Sequence, residues 1–164
     1  MHGANATGRP FTGDASGAFL FESSLHRAGF ASSADAGKAK LCNVRITNAV
    51  KCLPPANKPI AVEITACRKY LIAEISEFTT PGMRKSRCIL CLGRVAHEAV
   101  VKALMAMTNL QTPVLLPFQH GQKIVLNDTL CLVDTYHPSR QNTNTNRLTR
   151  AMLDAVMLCV RDLL

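Results

Sequence analysis

Leu130-Cys131-Leu132-Val133-Asp134-Thr135-Tyr136-His137-Pro138-Ser139 passes from an apolar run to a chemically loaded loop within a few residues. Leu130 to Val133 is short, continuous and apolar, the pattern of a strand buried on both faces. His137 follows almost at once and is held by Pro138. Arg140 to Arg147 is then a polar run of Asn, Thr, Gln and Arg, and helical spacing begins near Leu148 with Met152, Ala155, Cys159 and Leu163. A buried strand, a polar loop and a helix in succession form the repeating unit of an α/β fold, in which ligands bind outside the carboxyl ends of the strands.

The chain upstream reads in the same alternation. Ala18, Phe21, Leu25 and Ala28 recur at helical spacing, with Gly29 as a stop. Val44-Arg45-Ile46-Thr47 alternates like a strand, Ile60 to Phe78 reads as a helix bounded by Pro81-Gly82, and Cys88 to Leu92 is an apolar run ending at Gly93. A helix on Ala96, Ala99, Val100, Ala103 and Met107 follows, then an apolar run at Val114-Leu115-Leu116. These patterns predict an α/β fold, three-layer α/β/α, with a central, mostly parallel, four-stranded sheet in a single domain over residues 1–164.

The composition fits such a domain. The 164 residues are 48% hydrophobic and 18% charged, which is globular and not disordered. Lys and Arg outnumber Asp and Glu by 19 to 11, and this excess favours a polyanionic partner over mere solubility only weakly. No apolar run approaches the roughly 20 residues of a membrane span. The polar, Gly-rich stretch Met1 to Pro10 does not read as a signal peptide, so the sequons at Asn5 and Asn127 carry no weight. Seven Cys without a secretory signal point to a reducing compartment, with metal binding or redox chemistry as their use.

The chemistry suggested after Val133 is that of a nucleobase site. An imidazole at a strand end can donate to a developing oxyanion. Amides, hydroxyls and guanidinium groups on the next loop, with a helix N-terminus behind them, can hold phosphates. A lone His-Pro-Ser would more often be a structural His in a polar loop; the attached Asn/Thr/Arg run shifts the balance to function. Tyr136 to Ser139, Asn142, Thr145 to Thr149 and Met152 together resemble the last motif of type-5 uracil-DNA glycosylases. The resemblance implies that His137 hydrogen-bonds the uracil anion and that Ser139, Arg140, Asn142 and Arg147 contact DNA. The family usually has Gly where Asn146 stands, and Asn is the next best residue for left-handed backbone.

Two further blocks carry the resemblance. Asn5, Thr7 to Asp14 and Ser16-Gly17 are similar to the remainder of the family's first motif. Phe11 is a flat face for stacking a flipped pyrimidine, and Asp14 an anion beside the sugar; read alone, they are a core anchor and a helix N-cap. Thr47-Asn48 to Cys52, the Pro-rich loop to Pro59, and Cys67 form the third block. Asn48 offers one donor and one acceptor, as a uracil edge requires, against a turn-forming role; Asn57 reads as structural. The resemblance implies that Cys52 and Cys67, 15 residues apart, are two of four [4Fe–4S] ligands. Cys88-x-x-Cys91 has knuckle spacing, but with no second pair it reads as core, as do Cys131 and Cys159.

The family's first motif starts earlier, on a first strand, and two closely spaced Cys lie further upstream. The resemblance therefore implies that the domain lacks its N-terminal part, with the first strand missing and the cluster incomplete. It implies a monomeric DNA repair enzyme of the bacterial or archaeal cytoplasm, associated with the nucleoid, that hydrolyses the N-glycosidic bond of uracil, and of other deaminated bases, in DNA and starts base excision repair. The alternative is an inactive or weakly DNA-binding remnant of such an enzyme. An unrelated nucleotide-binding domain fares worst, because no Gly-rich phosphate loop follows a strand.

Overall fold

The computed structural model describes residues 3–51, 54, 59–80, 86–107 and 116–164, the side chains of Asn5 and Ser23 excepted. Cys52, Asn57, the Pro81-Gly82 turn and most of the Val114-Leu115-Leu116 run lie outside the described residues. The chain divides into two compact units, one of Met1–Thr47 with Tyr136–Asp162 and the other of Asn48–Thr135 with Leu163–Leu164.

The second of these holds the sheet. Strand β3 (Leu130–Thr135) is buried at all six positions. A buried backbone must have its N–H and C=O groups paired, and β3 does so on both edges. On one side β1 (Arg87–Leu92) pairs with it in parallel, with Cys91 opposite Asp134. On the other, β2 (Lys123–Asn127) pairs antiparallel. The sheet is thus three-stranded in the order β1-β3-β2 among the described residues, and mixed. The α/β class stands, and within the described residues the sheet differs from the expected mostly parallel four-stranded one in two places. Val44 to Thr47 forms no strand: Asn43 just before it turns into left-handed backbone at φ 56°, and alternation is only a local preference that a ladder must fix. Conversely, 123–127 is a strand, with Ile124 and Leu126 inward and Lys123, Val125 and Asn127 outward. The Asn127 side chain accepts from the N–H of Thr129 at 2.9 Å, closing the hairpin to β3 as an Asx turn.

Two helices pack in this unit. In α3 (Ala61–Thr79), Cys67, Leu71 and Ile75 recur every four residues and are buried; Glu63 accepts from the N–H of Ile60 at 2.9 Å and ties down the first turn. In α4 (Arg94–Ala106), Ala99, Val100, Ala103 and Leu104 join that core against Cys91, Leu130 and Leu132. Gly93 makes the strand-to-helix turn at φ 91°, and its N–H reaches the carbonyl of Thr135 at 2.7 Å.

The core also holds one polar pair. His97 of α4 and Asp134 of β3 are 2% and 0% exposed, and Nδ1 of His97 lies 3.0 Å from Oδ1 and 2.8 Å from Oδ2 of Asp134. The other ring nitrogen, Nε2, is 2.7 Å from the carbonyl oxygen of Leu116. A carbonyl only accepts, so Nε2 carries a proton, and Nδ1 and the carboxyl share the second. Nδ1 lies within hydrogen-bond distance of both carboxyl oxygens, and the backbone of Gln119 adds a further hydrogen bond to the Asp134 carboxyl. Burial pushes the Asp134 carboxyl above its ordinary pKa, and His97 opposes that shift.

The first unit is helical. Helix α1 (Ala4–Thr7) is a single turn; α2 (Ala15–Leu20) runs on into a π-helical turn at Phe21–Leu25. The single turn α5 (Arg140–Asn144) precedes α6 (Arg150–Asp162), which buries Leu153, Val156, Met157 and Val160. Ser24 donates to Asp154 at 2.9 Å and Arg27 pairs with it at 2.7 Å, fastening α6 to the π-helical turn. No helix among the described residues is long and apolar enough to cross a membrane.

Truncating one member of a buried hydrogen-bonded pair strands the other. His97→Ala should therefore lower stability by about 1–3 kcal/mol, read as a fall in the urea midpoint at neutral pH; a midpoint equal to wild type would show that the pair contributes nothing to the core.

Candidate active site

The N-terminal loop is knitted by its own polar groups. Gly3 N–H reaches the carbonyl of Gly13 at 3.3 Å, the hydroxyls of Thr7 and Thr12 are hydrogen-bonded to each other, and Thr12 donates to the carbonyl of Arg9 at 2.7 Å. Arg9 spans to the carbonyls of Ala39 and Gly37 at 2.9 and 3.3 Å. Between these ties Phe11 sits in left-handed backbone, φ 55°, an uncommon state for a large side chain. Gly17 makes it possible: a Cβ there would stand 2.0 Å from the carbonyl oxygen of Phe11. Asp14 caps α2, its Oδ1 accepting from the N–H of Gly17 at 2.8 Å. The N-cap role anticipated for Asp14 is thus real, and it holds the exposed carboxylate at a helix start. A cavity of about 770 Å³ adjoins it, with Thr7, Arg9, Thr12 and Asp35 also in its wall.

The second half of the site follows β3 in the chain. Pro138 is fully buried and anchors the segment. Ser139 caps α5 by accepting from the N–H of Asn142 at 3.4 Å. The side chain of Asn142 turns back, and Nδ2 donates to the carbonyl of His137 at 2.8 Å. Asn146 adopts φ 56°, the left-handed conformation for which Gly or Asn is suited, and the buried Leu148 then returns its N–H to the carbonyl of Asn142 at 3.0 Å. Arg140 and Arg147 are exposed, and the guanidinium of Arg147 lies over the ring of Tyr136 at 4.7 Å.

The two halves meet at the rings. Phe11 and His137 have centroids 5.6 Å apart, tilted by 36°. Burial lowers the His137 pKa, and the negative charge of Asp14 partly restores it. The imidazole is therefore neutral at neutral pH, with one N–H to give and no positive charge to neutralise. By linkage, the neutral ring's contribution to stability is full above the ordinary imidazole value and is lost as pH falls through the lowered one.

Residues 1–159 match the uracil DNA glycosylase superfamily. The chain belongs to this family. It is 42% identical over 160 residues to the type-5 uracil-DNA glycosylase of Thermus thermophilus, covering 96% of this chain and 68% of the relative. Identity to the type-5 uracil-DNA glycosylase of Mycobacterium leprae is 41% over 162 residues, 94% of this chain and 66% of the other. For that of Pyrobaculum aerophilum it is 38% over 160 residues, 95% and 64%. The chain spans about two thirds of the length of these relatives.

Within this uracil-DNA glycosylase superfamily domain, Phe11, Asp14, His137, Ser139, Arg140, Asn142 and Arg147 all fall in one compact unit. Asn48 and Cys67 fall in the other, Asn48 exposed and Cys67 buried. Sγ of Cys67 accepts the N–H of Lys51 at 3.4 Å, while Cys52 lies outside the described residues. No group of three or more His, Cys, Asp or Glu able to hold a metal occurs among the described residues. Three features escaped the sequence: Gly17 as the relief under Phe11, Tyr136 as the platform for Arg147, and the inward turn of Asn142. Each depends on chain segments folding back, and only the Gly at 17 left a trace in composition.

Asp14→Asn removes the nearby charge that favours the imidazolium, so His137 should titrate at a still lower pH than in the wild type. A pH series of its imidazole carbon–proton signal measures this, and an upward or absent shift would disconnect the two residues.

Proposed function

We propose that this chain excises uracil from DNA by hydrolysing the N-glycosidic bond. The observation that carries the reading is the Phe11–His137 pair, a flat face and a neutral imidazole 5.6 Å apart, in a chain of the uracil-DNA glycosylase superfamily. A base flipped out of the stack is held between aromatic or apolar surfaces and hydrogen-bonding groups, and Phe11 is the stacking face in this reading. As the C1′–N1 bond breaks, the electron pair moves into the base. The N–H of His137 stabilises the resulting anion, and because the ring is neutral it does so as a hydrogen-bond donor with no proton transfer required. Water adds to C1′, and the proton it loses passes to solvent, from which the departed uracil anion is reprotonated. The Asp14 carboxylate is the anion that favours the positively charged sugar in the transition state and orients that water.

Recognition is shared among other groups. The Asn48 carboxamide, with donor and acceptor together, is the reader of the base edge. Arg140 and Arg147 contact phosphates, in keeping with the net charge of +8, and Ser139 and Asn142 line the same loop. The partner is uracil-containing DNA, and the acting form is a monomer.

A [4Fe–4S] cluster belongs to the same reading. Cys67 suits it, being buried with a backbone N–H aimed at its sulfur, the kind of hydrogen bond that tunes a cluster thiolate; Cys52 would be the second ligand. Two thiolates are half of the usual set, and when bound the cluster would tie residues 52 and 67 covalently. Cys67→Ala should abolish whatever iron and sulfide co-purify with the chain, measured by elemental and sulfide analysis; retained iron would remove Cys67 as a ligand.

The deciding assay is release of uracil from a labelled oligonucleotide with a single uracil. His137→Ala should slow release by about 10²–10³-fold, as loss of an oxyanion donor does, with DNA affinity retained. Unchanged release would take His137 out of the mechanism. Binding by the wild-type chain without any release would favour the non-catalytic reading.

A further inference from the structure

We infer that Asn142 is a positioning residue, whose amide fixes the backbone of His137 and ties it to the loop that closes at Leu148. The inference deepens the glycosylase reading and rests on it for its kinetic consequences.

Three polar groups of Asn142 are engaged within the loop. Nδ2 donates to the carbonyl of His137 at 2.8 Å, the backbone N–H to Oγ of Ser139 at 3.4 Å, and the backbone carbonyl accepts from Leu148 at 3.0 Å. The carbonyl of His137 needs such a donor. It lies beyond the end of β3, and the next residue is a buried proline with no N–H to continue a ladder. Leu148, 0% exposed, gives the bracket a fixed far end. Arg147, one residue before Leu148, lies over Tyr136, one residue before His137. The loop is therefore cross-linked twice within a few residues of the imidazole. Nδ2 carries two N–H groups, and the one aimed at the carbonyl of His137 is committed inward whatever the other meets.

Asn142→Ala and the isosteric Asn142→Asp, which has no N–H at neutral pH, are the tests. Both should slow single-turnover release of uracil by about 10- to 100-fold, the scale of a small misplacement of a catalytic group. In Asn142→Ala, affinity for uracil-free duplex should stay within about twofold, since a positioning role leaves phosphate contacts in place; Asn142→Asp also adds a negative charge, so the affinity comparison rests on the alanine variant. The His137 imidazole signal should be a single set in the wild type and should broaden or split in both variants. Wild-type rates in both would overturn the proposal. So would a fall in DNA affinity matching the loss of rate, which marks a DNA contact, or an unchanged His137 signal in a slowed variant. Should the wild-type chain release no uracil, the glycosylase reading falls, and the imidazole signal alone then decides whether Asn142 positions His137.

Discussion

Burial of β3 along its whole length is the constraint from which the rest follows. A strand with both faces covered must have both edges paired, or its backbone groups lose water without replacement. β1 satisfies one edge in parallel, and a parallel partner requires a long crossover; β2 satisfies the other through a hairpin. The same burial explains the tie between α4 and β3. Asp134 is wholly enclosed, and an enclosed carboxyl is tolerated only with a partner, which His97 supplies while its second nitrogen reaches Leu116.

Beyond β3 the chain changes from apolar economy to polar economy. Between Tyr136 and Leu148 four side chains hydrogen-bond within the segment: Ser139 to Asn142, Asn142 to His137, Thr143 to the carbonyl of Ser139 and Thr145 to that of Gln141. Buried Pro138 and Leu148 pin the two ends. The result is a rigid presentation of His137 with the arginines left exposed. The N-terminal loop reaches the same end by different means, placing Phe11 in a costly left-handed conformation that is possible only over a residue without a side chain. Rings held this firmly, and an imidazole kept neutral by burial, suit a site that must stabilise charge as it appears and not before.

Legibility differed from element to element for physical reasons. The helices at 61–79, 94–106 and 150–162 were readable because their apolar residues repeat at helical spacing over three turns or more. β1 and β3 were readable as apolar runs ending in turn residues. Val44 to Thr47 misled because four alternating residues cannot reveal whether a ladder partner exists, and the strand at 123–127 was missed although Ile124 and Leu126 alternate before an Asn-Asp turn. Its outward residues, Lys123 and Asn127, hid an edge strand among loop-like polarity.

The sequence by itself determined the α/β class and, through its motif blocks, the family, because these depend on residue type and order along the chain. Tertiary structure alone decided what the groups of the site do to one another. That Asn142 faces inward, that Asp14 both caps a helix and acts on His137, and that Phe11 lies 5.6 Å from an imidazole 126 positions later are facts of distance. Hydrogen bonds and electrostatic shifts fall off within a few ångströms, and no spacing along the sequence encodes which distant residues the fold will bring that close.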